Sequence, residues 1–339
     1  MSRPRVVLTH RVHDPVKQLL ARHCEVVSND TLESWPHAKL LEEARNAEGL
    51  LVFMPDKIDE SFLTHCPRLK VIAAALKGYD NIDLAASSRR GVWVTVVPDL
   101  LSQPTAELAI ALTLGLVRNV AAGDRLIRSG RFHGWRPVLY GGGLAGKTVG
   151  VIGMGRVGQA FARVLAGFNC RIIYHDPVHM SPVQEAFLGM GRASLDQVLA
   201  ESDVLVVLVP LTASSLHMIG DEALARMKPG SYLVNVGRGS VVDEAAVARA
   251  LDRGHLAGFA ADVFEMEDWA RPGHPAAIHP SLLATADRTL FTPHLGSAVA
   301  KTRLEIEMSA AESILQALRG ERPRDAINEI EPAARKAEK

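Results

Sequence analysis

Short runs of apolar residues alternate along most of the chain with stretches whose apolar residues recur at helical spacing. Val6 to Leu8, Leu50 to Phe53, Val71 to Ala74 and Trp93 to Thr95 are apolar without alternation, as expected of strands buried on both faces of a parallel sheet. Segments near Val16 to Arg22, Ala38 to Asn46 and Glu60 to His65 read as the helices that cover them. A second strand series runs through Thr148 to Ile152, Arg171 to Tyr174, Val204 to Leu208, Tyr232 to Asn235, Gly258 to Ala261 and Leu290 to Thr292. The pattern predicts an α/β chain of two Rossmann-like, doubly wound parallel-sheet domains with a cleft between them. A long helix from about Pro104 to Ser129, with proline in its first turn and Gly130 beyond its end, is expected to connect them. The last helix, about Ala300 to Arg319, has no strand after it and is expected to return to the first domain. The expected division is therefore residues 1–101 plus 304–339 for one domain and 102–303 for the other, with a mobile polar tail beyond Pro323.

Length and charge narrow the class. At 339 residues the chain suits two domains of roughly 100 to 200 residues each. Lysine plus arginine (38) equals aspartate plus glutamate (38), so no broad field favours nucleic acid or an anionic membrane. The cysteines, Cys24, Cys66 and Cys170, are odd in number and without metal-ligand spacing, which suits a reducing cytoplasm and argues against a metal site. The first residues carry no signal-peptide apolar region, and the apolar stretch Leu108 to Val117 is far short of the roughly 20 residues of a membrane span.

The candidate chemistry begins at Gly153-Met154-Gly155-Arg156-Val157-Gly158, between the strand-like Thr148 to Ile152 and a segment that places Phe161, Val164, Leu165 and Phe168 on one helical face. In this context Gly153 permits a tight turn, Gly155 lets backbone amides approach a pyrophosphate, and Gly158 allows close packing of helix on strand. The next strand ends at Tyr174-His175-Asp176, about 20 residues on, where an acid binds the ribose hydroxyls of NAD and repels the 2′-phosphate of NADP. Arg156 and His175 nearby leave some tolerance of NADP open.

Three later loops each follow a strand. Asn235-Val236-Gly237-Arg238-Gly239-Ser240 offers a cation, Ala261-Asp262-Val263-Phe264-Glu265-Met266-Glu267 offers carboxylates, and Phe291-Thr292-Pro293-His294-Leu295-Gly296-Ser297 offers a histidine. Each has a bland reading: a solvated arginine, surface charge, or one more of the 13 histidines. Their occurrence after successive strands, where the carboxyl ends of an open α/β sheet face the ligand, makes them a candidate catalytic set.

Over nearly its whole length the chain resembles the D-2-hydroxyacid dehydrogenases. The resemblance implies that Arg238, Glu267 and His294 are the catalytic residues: Glu267 fixes the imidazole tautomer, His294 exchanges a proton with substrate, and Arg238 clamps the substrate anion. It further implies that Arg156, Val157, Pro177, Leu208, Val209, Pro210, Val236, Gly237, Asp262, Thr105 and Gly296 join Gly153, Gly155, Gly158 and Asp176 around NAD, and that the protein is a homodimer. Two departures bear on substrate. Lys77 precedes Gly78 where the family commonly has a small or neutral residue, and Asp268-Trp269 follows Glu267 where it usually has proline. With Phe53-Met54-Pro55-Asp56, Val97-Pro98-Asp99-Leu100-Leu101, Gly134 to Tyr140, Trp269-Ala270-Arg271 and Arg303 to Glu307, these resemble the phosphite-oxidising branch of the family. That branch implies phosphite as a small, largely doubly charged substrate, bound by Lys77 and Gly78 with Met54, Leu101, Trp135, Tyr140, Trp269, Ser297 and Arg303 shaping the site. Either His294 or Arg238 would take the proton of the attacking water. The rival expectations are an ordinary glyoxylate or hydroxypyruvate reductase and an NAD-sensing binding protein without turnover.

Overall fold

A strand buried at every position needs a packed layer on each face, and β3 (Gly49–Val52) and β4 (Val71–Ala74) meet that condition. In the computed structural model, which describes residues 3–97 and 99–330, they belong to a five-stranded parallel sheet. With β1 (Arg5–Leu8), β2 (Glu25–Ser28) and β5 (Trp93–Thr95), the order is β2-β1-β3-β4-β5. Successive side chains point to opposite faces. Val6, Leu8, Leu51 and Val71 therefore pack with Val16 and Leu20 of helix Asp14–Ala21 and with Ile306, Ala310 and Ile314 of helix Ala300–Leu318. Val7, Leu50 and Ile72 pack on the other side with Leu40, Phe62, Leu63 and Ala86 of three short helices. This unit comprises Met1–Leu101, Trp269–Pro272 and Val299–Lys339.

The segment after Pro323, expected to be mobile, is bound along β5. Val96 N donates to Asp325 O (3.3 Å), Ile327 N donates to Val94 O (2.9 Å), and the buried Asn328 accepts from Val94 N (2.8 Å) and donates to Val92 O (3.0 Å). The physical reason is the edge of the sheet: β5 presents unpaired backbone groups that a polar segment can satisfy. Residues 331–339 of the tail, and Pro98 of the quoted Val97 to Leu101 run, lie outside the described residues.

The second unit, Ser102–Asp268 and Gly273–Ala298, holds a seven-stranded parallel sheet. Its strands are β6 (Thr148–Ile152), β7 (Arg171–His175), β8 (Met190–Arg192), β9 (Val204–Val207), β10 (Ser231–Asn235), β11 (Leu256–Ala261) and β12 (Thr289–Phe291). They run in the order β12-β11-β10-β9-β6-β7-β8, with helices on both faces. The strand order doubles back beside β6, between β9 and β7, which places the ligand crevice at the carboxyl ends there. The expected single helix from Pro104 to Ser129 is two, Ser102–Val117 and Val120–Arg128, bent by 65°. Asn119 takes a left-handed backbone (φ 55°) at the break. The first helix buries Ala106, Ala109, Leu112 and Leu116 while the second buries nothing, so no packing holds both on one axis. Among the described residues no single helix is long and apolar enough to cross a membrane.

Candidate active site

The glycine loop turns β6 into helix Arg156–Leu165. Gly153 has φ 98°, and an added Cβ would stand 2.9 Å from Val209 Cγ1 and 3.0 Å from the carbonyl carbon of Leu208. At Gly158 a Cβ would stand 2.3 Å from Gly153 O, so the first helical turn lies directly on the loop. Gly155 is different: nothing lies within 4 Å, and no side chain caps the helix that starts there with Arg156 and Val157. Open space over uncapped N–H groups fits a pyrophosphate. At the end of β7, Asp176 accepts from Met154 N (2.7 Å) and from Val178 N (2.7 Å), which fixes the acid against the loop; Pro177 beside it is exposed. Leu208, Val209 and Pro210 follow β9, and a Cβ on Gly237, after β10, would meet Val209 O at 2.6 Å. Val236 beside it is buried. Gly296 lies against Thr105 Oγ1 and Asp262 Oδ2, 3.2 and 3.4 Å from a Cβ built on it. The residues present therefore fit a dinucleotide.

The neighbouring strands β10, β11 and β12 end in the three other loops. His294 Nδ1 and Glu267 Oε2 are 2.7 Å apart, so Nδ1–H donates to the carboxylate and Nε2 is left to exchange a proton. Glu267 Oε1 in turn accepts from Phe264 N (2.8 Å). His294 has a left-handed backbone (φ 56°) stabilised from below by Asp262, whose O accepts from His294 N (2.9 Å). The Asp262 carboxylate accepts from Thr292 Oγ1 (2.6 Å), Leu295 N (2.6 Å) and Gly296 N (2.8 Å). Burial pushes its pKa up against those bonds. Asp262, read as a cofactor residue, thus has both carboxylate oxygens engaged by the histidine loop. Arg238 stands in a turn after β10 whose carbonyl accepts from Asn235 Nδ2 (2.9 Å).

In the first unit, Met54 follows β3, and Lys77 and Gly78 follow β4; all three are half-buried. Arg303 donates to Ala75 O (3.3 Å), lies over the Phe53 ring (5.4 Å) and pairs with Glu307 (3.6 Å). Burial draws its pKa down, and Glu307 opposes this. The structure thus brings Arg303 to the base of the Lys77 loop. Leu101 is half-buried and Trp269 exposed. In the second unit Ser297 follows the histidine loop, half-buried. Trp135 and Tyr140, expected to dry the site, are instead 82% and 76% exposed, on a segment between Arg128 and β6 with no regular structure to fold them inward.

The family described as D-isomer specific 2-hydroxyacid dehydrogenase, NAD binding domain, matches residues 110–296. A glyoxylate reductase of Aeropyrum pernix is 37% identical over 333 residues, covering 97% of each chain. The chain belongs to the D-isomer specific 2-hydroxyacid dehydrogenase family. Among solved structures of this family, a D-lactate dehydrogenase of Aquifex aeolicus complexed with NAD and lactic acid superposes with a TM-score of 0.82 at 29% identity, covering 93% of this chain and 96% of its own. An NADPH-dependent glyoxylate/hydroxypyruvate reductase of Sinorhizobium meliloti, bound to NADP and malonate, gives 0.83 at 30%, covering 96% and 97%. This 2-hydroxyacid dehydrogenase is an NAD-dependent oxidoreductase of two Rossmann-like units. The expected resemblance to the phosphite-oxidising branch is not what these relatives carry in their names; what they share with it is the family.

Two residues near the dehydrogenase's catalytic set, His217 and Glu244, carry no signal in the sequence, and they join Glu265 there. His217, with a left-handed backbone (φ 49°), pairs through Nε2 with the buried Glu265 (2.8 Å). Glu265 accepts from Glu244 N (3.0 Å), while Glu244 accepts from Glu265 N (2.9 Å); burial pushes the Glu244 pKa up. Asp268, also buried, accepts from Ser240 N (2.7 Å). Glu265 is buried, which rules out the surface-charge reading of its sequence position. Asp268 is marked in the sequence by its departure from the family's usual proline, but its bond to Ser240 is not, and nothing local points to His217.

Proposed function

We propose that this protein is an NAD-dependent phosphite dehydrogenase. The observation that carries the reading is Lys77 in the loop after β4, a cation at a strand end of the first unit, with Arg303, paired with Glu307, bonded to Ala75 O at the root of that loop. A monocarboxylate needs one clamp, whereas a largely doubly charged tetrahedral oxyanion with no carbon chain is recognised through charge and hydrogen bonds alone. The glycine loop, the uncapped helix start and Asp176 hold NAD, which supplies the hydride acceptor. Arg238 binds substrate oxygens, and His294, with Nδ1 committed to Glu267, takes the proton of the attacking water at Nε2. The exposed apolar side chains Phe132, Trp135, Val138, Leu139 and Tyr140 support a homodimer, for which light scattering should give twice the mass of the chain.

A second reading, glyoxylate reductase, is favoured by one specific observation: the named relatives at 37% identity over nearly the whole chain. In it Arg238 binds a carboxylate and His294 protonates a carbonyl. A substrate panel with phosphite, glyoxylate, hydroxypyruvate and D-lactate separates the two. The phosphite reading expects NADH from phosphite, and a Lys77→Ala enzyme with a raised phosphite KM but unaltered NAD affinity. Turnover of the organic acids alone would establish the second reading instead.

A further inference from the structure

The turn that carries Glu267 ends in a carboxylate with no role in the scheme above. Asp268 is 2% exposed, and its Oδ2 accepts from Ser240 N at 2.7 Å, across 28 residues of sequence. Ser240 is two residues beyond Arg238, and its backbone is held on its other side as well: Ser240 O accepts from His217 N at 2.8 Å. Between them Gly239 lies flat on the neighbouring turn, since an added Cβ would stand 1.9 Å from the carbonyl carbon of Phe264 and 2.4 Å from Glu265 N. The arginine turn and the glutamate turn are thus in backbone contact, and the Asp268 side chain latches one to the other.

From this we infer that Asp268 is a positioning residue for anion binding: it fixes the Arg238 turn against the turn bearing Glu267, so that the guanidinium and the His294–Glu267 pair keep one geometry. A buried carboxylate is costly unless hydrogen-bonded, and a charge-assisted bond to a backbone N–H is among the stronger bonds open to it. Proline at this place, usual in the family, has no side-chain acceptor for Ser240 N. The inference rests on Arg238 binding the substrate anion.

The test compares Asp268→Ala and Asp268→Asn in the full-length enzyme, with steady-state kinetics on the substrate the panel identifies, calorimetric NAD titration, and thermal unfolding. Asp268→Ala should raise the anion KM by about tenfold or more, the loss of one charge-assisted bond. The fall in kcat should be smaller, and NAD affinity should stay within twofold. Asp268→Asn, whose amide oxygen still accepts from Ser240 N, should recover most of the KM. An Asp268→Ala enzyme with an unchanged anion KM would overturn the inference. So would one that loses KM, kcat and NAD affinity together with its folding, or one that Asn rescues no better than Ala. Arg238→Ala, run alongside, separates the premise: if it leaves the anion KM unchanged, Arg238 is not the clamp and the function reading fails by itself.

Discussion

Replacing Gly158 by alanine perturbs the cofactor cradle at one known contact. The new Cβ would stand 2.3 Å from Gly153 O, and since both partners are backbone, relief to 3.0 Å requires the helix and loop to part by about 0.7 Å. An amide–phosphate bond near 2.9 Å would then stretch beyond 3.5 Å and cease to be one. Losing one such charge-assisted bond costs about 1.5–3 kcal/mol, or roughly 10- to 150-fold in the Kd for NAD. Overpacking of about 1–3 kcal/mol is partly offset by alanine's better helix propensity of about 1 kcal/mol, for a net stability loss of about 0–2 kcal/mol. Gly155→Ala is the control: with nothing within 4 Å of its Cβ it should leave thermal unfolding unchanged, yet weaken NAD by intruding on the open space. Calorimetric titration with NAD reads both. A Gly158→Ala protein that binds NAD within twofold of the parent would refute the close-packed cradle.

Other substitutions test other parts. Glu267→Gln leaves His294 without its carboxylate partner; kcat should fall by about 100-fold or more while NAD affinity holds, and an unchanged kcat would remove the pair from catalysis. Asp176→Ala should raise kcat/KM with NADP relative to NAD, measured side by side; a constant ratio would place cofactor choice elsewhere. Asn328→Ala strips Val94 N and Val92 O of their partner and should cost about 1–3 kcal/mol in denaturant unfolding, with kcat unaffected; a neutral effect would mean that the tail is not needed on β5.

What could be read without coordinates follows from how local each feature is. The buried strands are continuous apolar runs, so most of both sheets was legible, whereas β2 and β8 are short edge strands, EVVS and MGR, with no apolar run to mark them. The helix break at Asn119 hid inside one continuous helical pattern, because the difference lies in which half finds a core. The glycine loop and Asp176 lie within one strand–helix–strand unit and could be read from spacing. The bonds His294–Glu267, Ser240–Asp268 and His217–Glu265 span 27, 28 and 48 residues and join segments that follow β9, β10, β11 and β12, strands that are neighbours in the sheet though separated by helices in sequence. Resemblance located the first; the others became visible once strand neighbours were known.

The central claim concerns the hydride donor, and isotope transfer tests it most directly. Phosphite deuterated at phosphorus, incubated with NAD and the purified protein, should give NADH carrying deuterium at the nicotinamide, with phosphate formed in equal amount. Absence of labelled NADH and of phosphate, from a protein that oxidises NADH with glyoxylate, would contradict the account.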